Sequence, residues 1–254
     1  MKKWKVFMFC AFLAVFTAMA AQMASAETKL GGNLNFGYYT DYTGGMSGSL
    51  VFDDPVFQQS ATLGMETEIV DFSGTFWSSV SPRGGFNSDF GDENDYMLDV
   101  FKTINGWRFG LEYLFGDMYR IGEINGDLHA LCFRVISPPV KGVSFYGVIE
   151  KDWPTDKDIV EGGVLWKFGA LYAIDLPFDK QKLNLDLCFG GNDGAYGSEP
   201  KTLNYGRLVL SLPVAMPFWK ATLSPMIFFQ KRFGDEDNLA CNKIRGGLTF
   251  NIPF

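Results

Sequence analysis

Past residue 26 the chain alternates apolar side chains with polar or small ones, in one segment of about ten residues after another. This is the period-two signal of strands whose two faces differ. Trp107, Phe109, Leu111, Tyr113 and Phe115 alternate with Arg108, Gly110, Glu112, Leu114 and Gly116. Leu183, Leu185, Leu187 and Phe189 alternate with Asn184, Asp186 and Cys188, and Trp166, Phe168, Ala170 and Tyr172 stand opposite Lys167 and Gly169. No apolar run in this stretch reaches the roughly 20 residues of a spanning helix, so any membrane crossing must be made by strands.

Segmenting on this basis predicts twelve strands, beginning near Gly32, Val56, Phe72, Asp95, Trp107, Asp127, Gly142, Gly163, Lys182, Asn204, Trp219 and Cys241. The fourth, sixth and eleventh are the least regular, which leaves ten or fourteen strands open. An even count is what single-chain bacterial barrels require. Long connections (Tyr42 to Pro55, Ser81 to Asn94, Asp117 to Gly126, Asp152 to Gly162, Gly191 to Leu203, Phe233 to Ala240) alternate with short ones, of which Asn105 and Gly106 suit a two-residue hairpin turn. This asymmetry predicts an all-β fold, a transmembrane antiparallel up-and-down β-barrel with tight periplasmic turns and longer outer loops. The competing reading is a soluble β-sandwich or barrel with its apolar face turned inward. Aromatic residues make up 16% of the chain, and Trp77, Tyr96, Trp107, Tyr146, Trp166 and Trp219 are expected near strand ends, as in interface girdles.

The compartment is read from the start of the chain. Lys2, Lys3 and Lys5 precede an apolar run from Val6 to Ala21, and Ala24, Ser25 and Ala26 offer a small-residue cleavage site. Residues 1–26 are therefore expected to be a secretory signal peptide, with 27–254 as one barrel domain. The leader holds three Lys and no acid, so its removal takes the net charge from −7 to −10. This balance disfavours nucleic acid as a partner, since phosphate contacts need clustered Lys and Arg. Cys132, Cys188 and Cys241 remain, an odd number, so at most one disulfide can form and free thiols are expected.

The chain ends Arg245-Gly-Gly-Leu248-Thr-Phe250-Asn-Ile252-Pro-Phe254, which resembles the C-terminal signal of bacterial outer-membrane β-barrels. The resemblance implies that Leu248, Phe250, Ile252 and Phe254 lie on the last strand and are recognised by the barrel-assembly machinery. Pro253 departs mildly from the pattern, at a strand end that tolerates it. Thr40, Asp41 and Tyr42 with Gly45, Met46 and Ser47, together with Ser73 to Val80 and Asn94 to Tyr96, resemble blocks of the TorF-type porins over about a third of the chain. Gly44 takes the place of that family's Arg.

No phosphate-binding loop, dinucleotide fingerprint, paired Cys motif or zinc helix occurs, so neither a cofactor nor a metal is expected. His129, the only His, lacks a neighbouring Ser, and its parity with Leu131, Phe133 and Val135 turns it toward lipid near a rim rather than into a hydrolase triad. The polar parity predicts a lumen lined by Asn33, Asn35, Glu66, Glu68, Asp99, Arg108, Glu112, Arg134, Glu150, Lys167, Asp186, Arg207, Lys220, Lys243 and Arg245. Such a lining sets ion selectivity if the lumen is open, or fills it with ion pairs if it is plugged; twelve strands allow either. Acidic outer loops (Asp53, Asp54, Asp89, Asp92, Glu93, Asp117, Glu123, Asp156, Asp158, Asp193, Glu199, Asp235, Glu236 and Asp237) are expected to be solvated, or to share divalent cations with lipopolysaccharide. The leading expectation is a small outer-membrane channel for passive passage of ions or small hydrophilic solutes, surrounded by outer-membrane lipid. The alternative is a plugged barrel whose loops bind an external partner.

Overall fold

The computed structural model describes residues 29–82, 92–118, 127–155, 161–177, 181–198, 200–217, 219–234 and 240–254. The expected leader lies outside them, as do the loop acids Asp89, Glu123, Asp156, Asp158, Glu199, Asp235, Glu236 and Asp237. Twelve long strands form the wall: β1 (Lys29–Tyr39), β2 (Val56–Glu66), β3 (Asp71–Val80), β4 (Glu93–Ile104), β5 (Trp107–Met118), β6 (Leu128–Ile136), β7 (Val143–Pro154), β8 (Gly163–Asp175), β9 (Lys182–Asn192), β10 (Lys201–Ser211), β11 (Thr222–Arg232) and β12 (Lys243–Pro253). Each pairs antiparallel with its neighbours in sequence, and β1 pairs with β12 from Asn33↔Pro253 to Tyr39↔Gly247. The sheet therefore closes on itself and leaves no long edge unpaired, the condition for strands to survive in hydrocarbon. Strands begin within three residues of the positions read from alternation, and the even count is twelve.

The tight turns follow the expected chemistry. Asn105 and Gly106 both have positive φ (51° and 82°), which makes the two-residue link from β4 to β5. The β2–β3 turn is closed by Thr67, whose backbone N–H donates to Asp71 Oδ1 at 3.1 Å while its hydroxyl accepts from the Val70 N–H at 3.2 Å.

Parity on the strands assigns the two faces. Leu111, Phe133, Ile149, Phe168, Leu187 and Leu248 all point outward and remain 44% to 50% exposed. A soluble barrel would bury such side chains; here the apolar belt is on the outside and the polar face is enclosed, the polarity of a barrel that spans a membrane. Tyr96, Trp107 and Trp166 share the outward face, but two of the expected girdle residues do not. Trp77 points inward and packs on Tyr42 with ring centroids 5.8 Å apart, and Tyr146 points inward and donates its hydroxyl to Asp186 Oδ1 at 2.7 Å. One finds a ring inside and the other a hydrogen-bond acceptor, so aromatic character at a strand end did not settle the face. Trp219 sits in the β10–β11 turn, 70% exposed.

Candidate functional site in the barrel interior

The connection between β1 and β2 was expected to stand outside the barrel, but it folds into it. Most of it forms a small hairpin, Tyr42–Thr43 against Leu50–Phe52, closed by Gly44 N–H to Ser49 O (2.9 Å) and Gly48 N–H to Gly44 O (3.1 Å). Asp41, Thr43 and Ser47 are buried, which is unusual for a polar loop and follows from its position across the lumen. On one side Arg207 of β10 donates to Gly45 O and Gly44 O, both at 3.0 Å. Arg207 also donates twice to Gln230 Oε1 (2.9 and 2.7 Å), which orients Gln230 so that its amide reaches Gly48 O (2.7 Å) and Cys241 O (2.9 Å). Tyr205 donates to Met46 O at 2.9 Å. On the opposite side Tyr42 donates to Glu93 Oε2 of β4 at 2.5 Å. Asp41 lies 3.8 Å from both Lys243 and Arg245 of β12, and Lys243 also pairs with Asp53. The segment is thus tied to strands around much of the wall.

Glycines make room for this packing. Tyr205 is fully buried between Gly190 of β9 and Gly48, whose φ is +69°; a Cβ at either would lie 2.5 to 2.6 Å from the Tyr205 ring. With no Cβ on the strand beneath it, the ring lies flat along the wall and presents its hydroxyl to the inserted segment.

Charge is divided across the lumen. Among the described residues, Glu93, Asp95, Asp99, Glu112, Glu150 and Asp152 face inward from β4, β5 and β7, and Asp99, Glu112, Cys132 and Glu150 occupy one rung of the ladder. Arg134 of β6 is held by Glu112 at 2.8 Å. Lys167, Arg207, Lys243 and Arg245 face them from β8, β10 and β12. Arg245 lies over the Tyr39 and Phe228 rings at 4.8 and 4.7 Å, and Arg207 over Tyr205 and Phe228 at 4.8 and 4.7 Å. Toward the short-turn end the interior opens into a cavity of about 540 Å³ lined by Ser144, Leu171, Asn184, Asp186, Val209 and Ser211.

The other residues predicted to line the lumen are placed as follows. Asn33 and Asn35 face inward on β1, Glu66 ends β2 and is exposed, and Arg108 lies over Phe101 at 3.9 Å near the short-turn rim. Glu68 and Lys220 are corrections: both are exposed in short turns beyond the strands, Lys220 with φ 52°, so alternation did not apply to them. Sequence reasoning missed Asp95, Asp152, Tyr205, Gln230 and the whole inserted segment. The only local hint was a polar, Gly-rich stretch from Asp41 to Ser49, which also suits an exposed loop.

Burial pushes the Tyr42 phenol well above its ordinary range, and the Glu93 and Asp95 carboxylates push the same way. Burial does the same to Tyr196, which donates to Asp152 Oδ2 at 2.5 Å. Cys132, Cys188 and Cys241 are free thiols, and that of Cys241 is raised first by burial and then by Asp41. His129 faces outward, stacked on Trp153 at 5.8 Å, with the Tyr113 hydroxyl 2.7 Å from Nδ1 and Thr155 Oγ1 3.4 Å from Nε2.

A closed antiparallel barrel with an apolar belt outside and a charged, enclosed face inside is a membrane-spanning β-barrel. No protein-family model matches the chain, and neither does any curated protein sequence. Solved structures are similar to it. A bacterial polysaccharide outer membrane secretin aligns at 8% identity and TM-score 0.51, over 88% of this chain and 97% of that one. An outer membrane channel from Pseudomonas putida F1 aligns at 13% identity and TM-score 0.49, over 89% and 95%. The NanC porin aligns at 11% and 0.49, over 87% and 97%. At these identities the likeness is one of fold.

Proposed function

We propose that the protein is a channel of the bacterial outer membrane for passive passage of small hydrophilic solutes, narrowed at its long-loop end by the inserted segment 41–50. The observation that carries this reading is the pairing of an apolar outer belt with a polar interior that keeps a cavity of about 540 Å³ below the constriction. A channel uses such an inward segment to set the size and charge of what enters. Export by the leader, contact with lipopolysaccharide at the long-loop rim, and recognition of Leu248, Phe250, Ile252 and Phe254 by the assembly machinery complete the proposal. The last four share the outward face of β12, where they are available during insertion. No catalytic step belongs to it: the ring of His129 is used as an interfacial aromatic.

The multiple ties on segment 41–50 favour one rival, a barrel closed at that end which presents its loops to an external partner. Recovery of the protein from the outer-membrane fraction with a heat-dependent gel mobility shift tests location and fold together. Planar bilayers then separate the two readings. Stepwise currents from folded protein are expected for the channel, and silence from folded protein would establish the closed barrel.

A further inference from the structure

Two carboxylate oxygens on the acidic side of the constriction lack any hydrogen-bond partner although they are enclosed. Asp95 Oδ1 and Asp152 Oδ1 are both in this state, on residues 8% and 0% exposed. Both side chains face the interior, from β4 and β7. Leaving a carboxyl oxygen desolvated and without a partner is costly, so this arrangement favours a donor that is not part of the chain.

The chain's own donors are committed elsewhere. Tyr42 donates to Glu93, and Tyr196 donates to the other oxygen of Asp152. Arg134 is taken by Glu112, and Lys167 points to Gly45 O at 3.5 Å. Glu93 beside Asp95 and Glu150 beside Asp152 crowd further carboxyl groups at two-residue spacing on the same inward faces, each hydrogen-bonded to its neighbouring acid. A positive ligand would let these crowded acids ionise as well as supply the missing hydrogen bonds.

We propose that Asp95 and Asp152, with the rings of Tyr42 and Tyr196, form a subsite for a small solute carrying more than one ammonium group, a diamine or polyamine. The inference rests on the channel reading for its role in passage, but the binding itself does not require conduction. Among the described residues no three carboxylates, His or Cys converge closely enough to hold a metal ion. The two aspartates instead stand on strands separated by two others, a spread of about 14 Å along the wall at the usual 4.8 Å between neighbours, narrowed by the curve of the barrel. Separate ammonium groups on one flexible chain match such a spread, and each offers three donors to carboxylate oxygens. The aromatic rings beside the acids add faces that attract an ammonium.

The test is calorimetric titration of the full-length chain, folded in detergent micelles at low salt, with putrescine and spermidine, and with CaCl₂ in parallel. Folding of every variant is checked by the gel mobility shift. Saturable amine binding is expected in the wild type, at least about tenfold weaker in Asp95→Asn and in Asp152→Asn, since each loses a charged hydrogen-bond acceptor while keeping its shape. Asp175→Asn, at the exposed short-turn end, should bind as the wild type does. Three outcomes would overturn the proposal: no amine binding, equal binding in wild type and both site variants, or binding of Ca²⁺ without binding of either amine. If amines bind as expected but bilayers stay silent, the channel reading falls and the subsite stands; currents without amine binding give the reverse.

Discussion

Replacing Arg207 by Ala should release the segment that narrows the lumen. The side chain donates to Gly44 O and Gly45 O at 3.0 Å each, in a residue 7% exposed. Hydrogen bonds from a charged donor contribute about 1.5–3 kcal/mol apiece, so the two direct bonds are worth roughly 3–6 kcal/mol to docking. Gln230 also loses the partner that aims its amide at Gly48 O. Taking the lower figure, and about 1.4 kcal/mol per factor of ten, the docked-to-undocked ratio falls by about 100-fold or more. Arg207→Lys keeps the charge but not the fork, and should fall between. Two measurements report the change. Single-channel conductance should rise in the order wild type, Arg207→Lys, Arg207→Ala. Cys241, whose thiol lies 3.5 Å from Gly48 O and is held protonated by burial, should react with a maleimide at least about tenfold faster in Arg207→Ala, in a background lacking the thiols of Cys132 and Cys188. If Arg207→Ala keeps a normal gel shift while both conductance and labelling rate match the wild type, the segment does not govern entry and the reasoning fails.

Further outcomes follow from the same packing. Gly190→Ala places a Cβ 2.5 Å from the Tyr205 ring and should cost about 1–3 kcal/mol, read as a lower temperature for the gel mobility shift, while Gly147→Ala, which meets nothing within 4 Å, should leave it unchanged. Phe254→Ala should lower the yield in outer membranes several-fold yet still allow refolding in detergent, because the Phe254 backbone keeps its paired hydrogen bonds to Gly32 (2.9 and 3.0 Å); equal yield would remove the assembly role of the terminal ring. The Tyr42 phenol is raised in the docked state, so docking keeps its full strength below the ordinary value of 10.0 and weakens as pH rises through the raised one. Conductance should therefore climb above about pH 10 and respond less in Tyr42→Phe; an identical climb in that variant would assign the alkaline response to other groups.

Alternation alone was enough to specify the wall of this protein. On strands such as β5 and β12, whether a side chain meets lipid or lumen depends only on its position along a pleat, and the connection lengths show which end carries the tight turns. That is why the parity of Arg108, Glu112, Lys167, Asp186, Arg207, Lys243 and Arg245 is enough to turn them inward. The rule has no force where the pleat stops, and so Glu68 and Lys220 were misplaced in turns. It also cannot say what a polar aromatic will do, and Trp77 and Tyr146 went inward because a hydrogen bond or a ring was waiting there. Only the closed barrel decided the interior. Arg207, Gln230 and Tyr205 gather around Gly44 to Gly48 from positions 159 to 182 residues away in sequence. Asp95 and Asp152 come to face the same interior although two strands stand between them. These are contacts between distant segments, whose strength depends on burial and on the direction of each donor, and neither property is carried by a period of two.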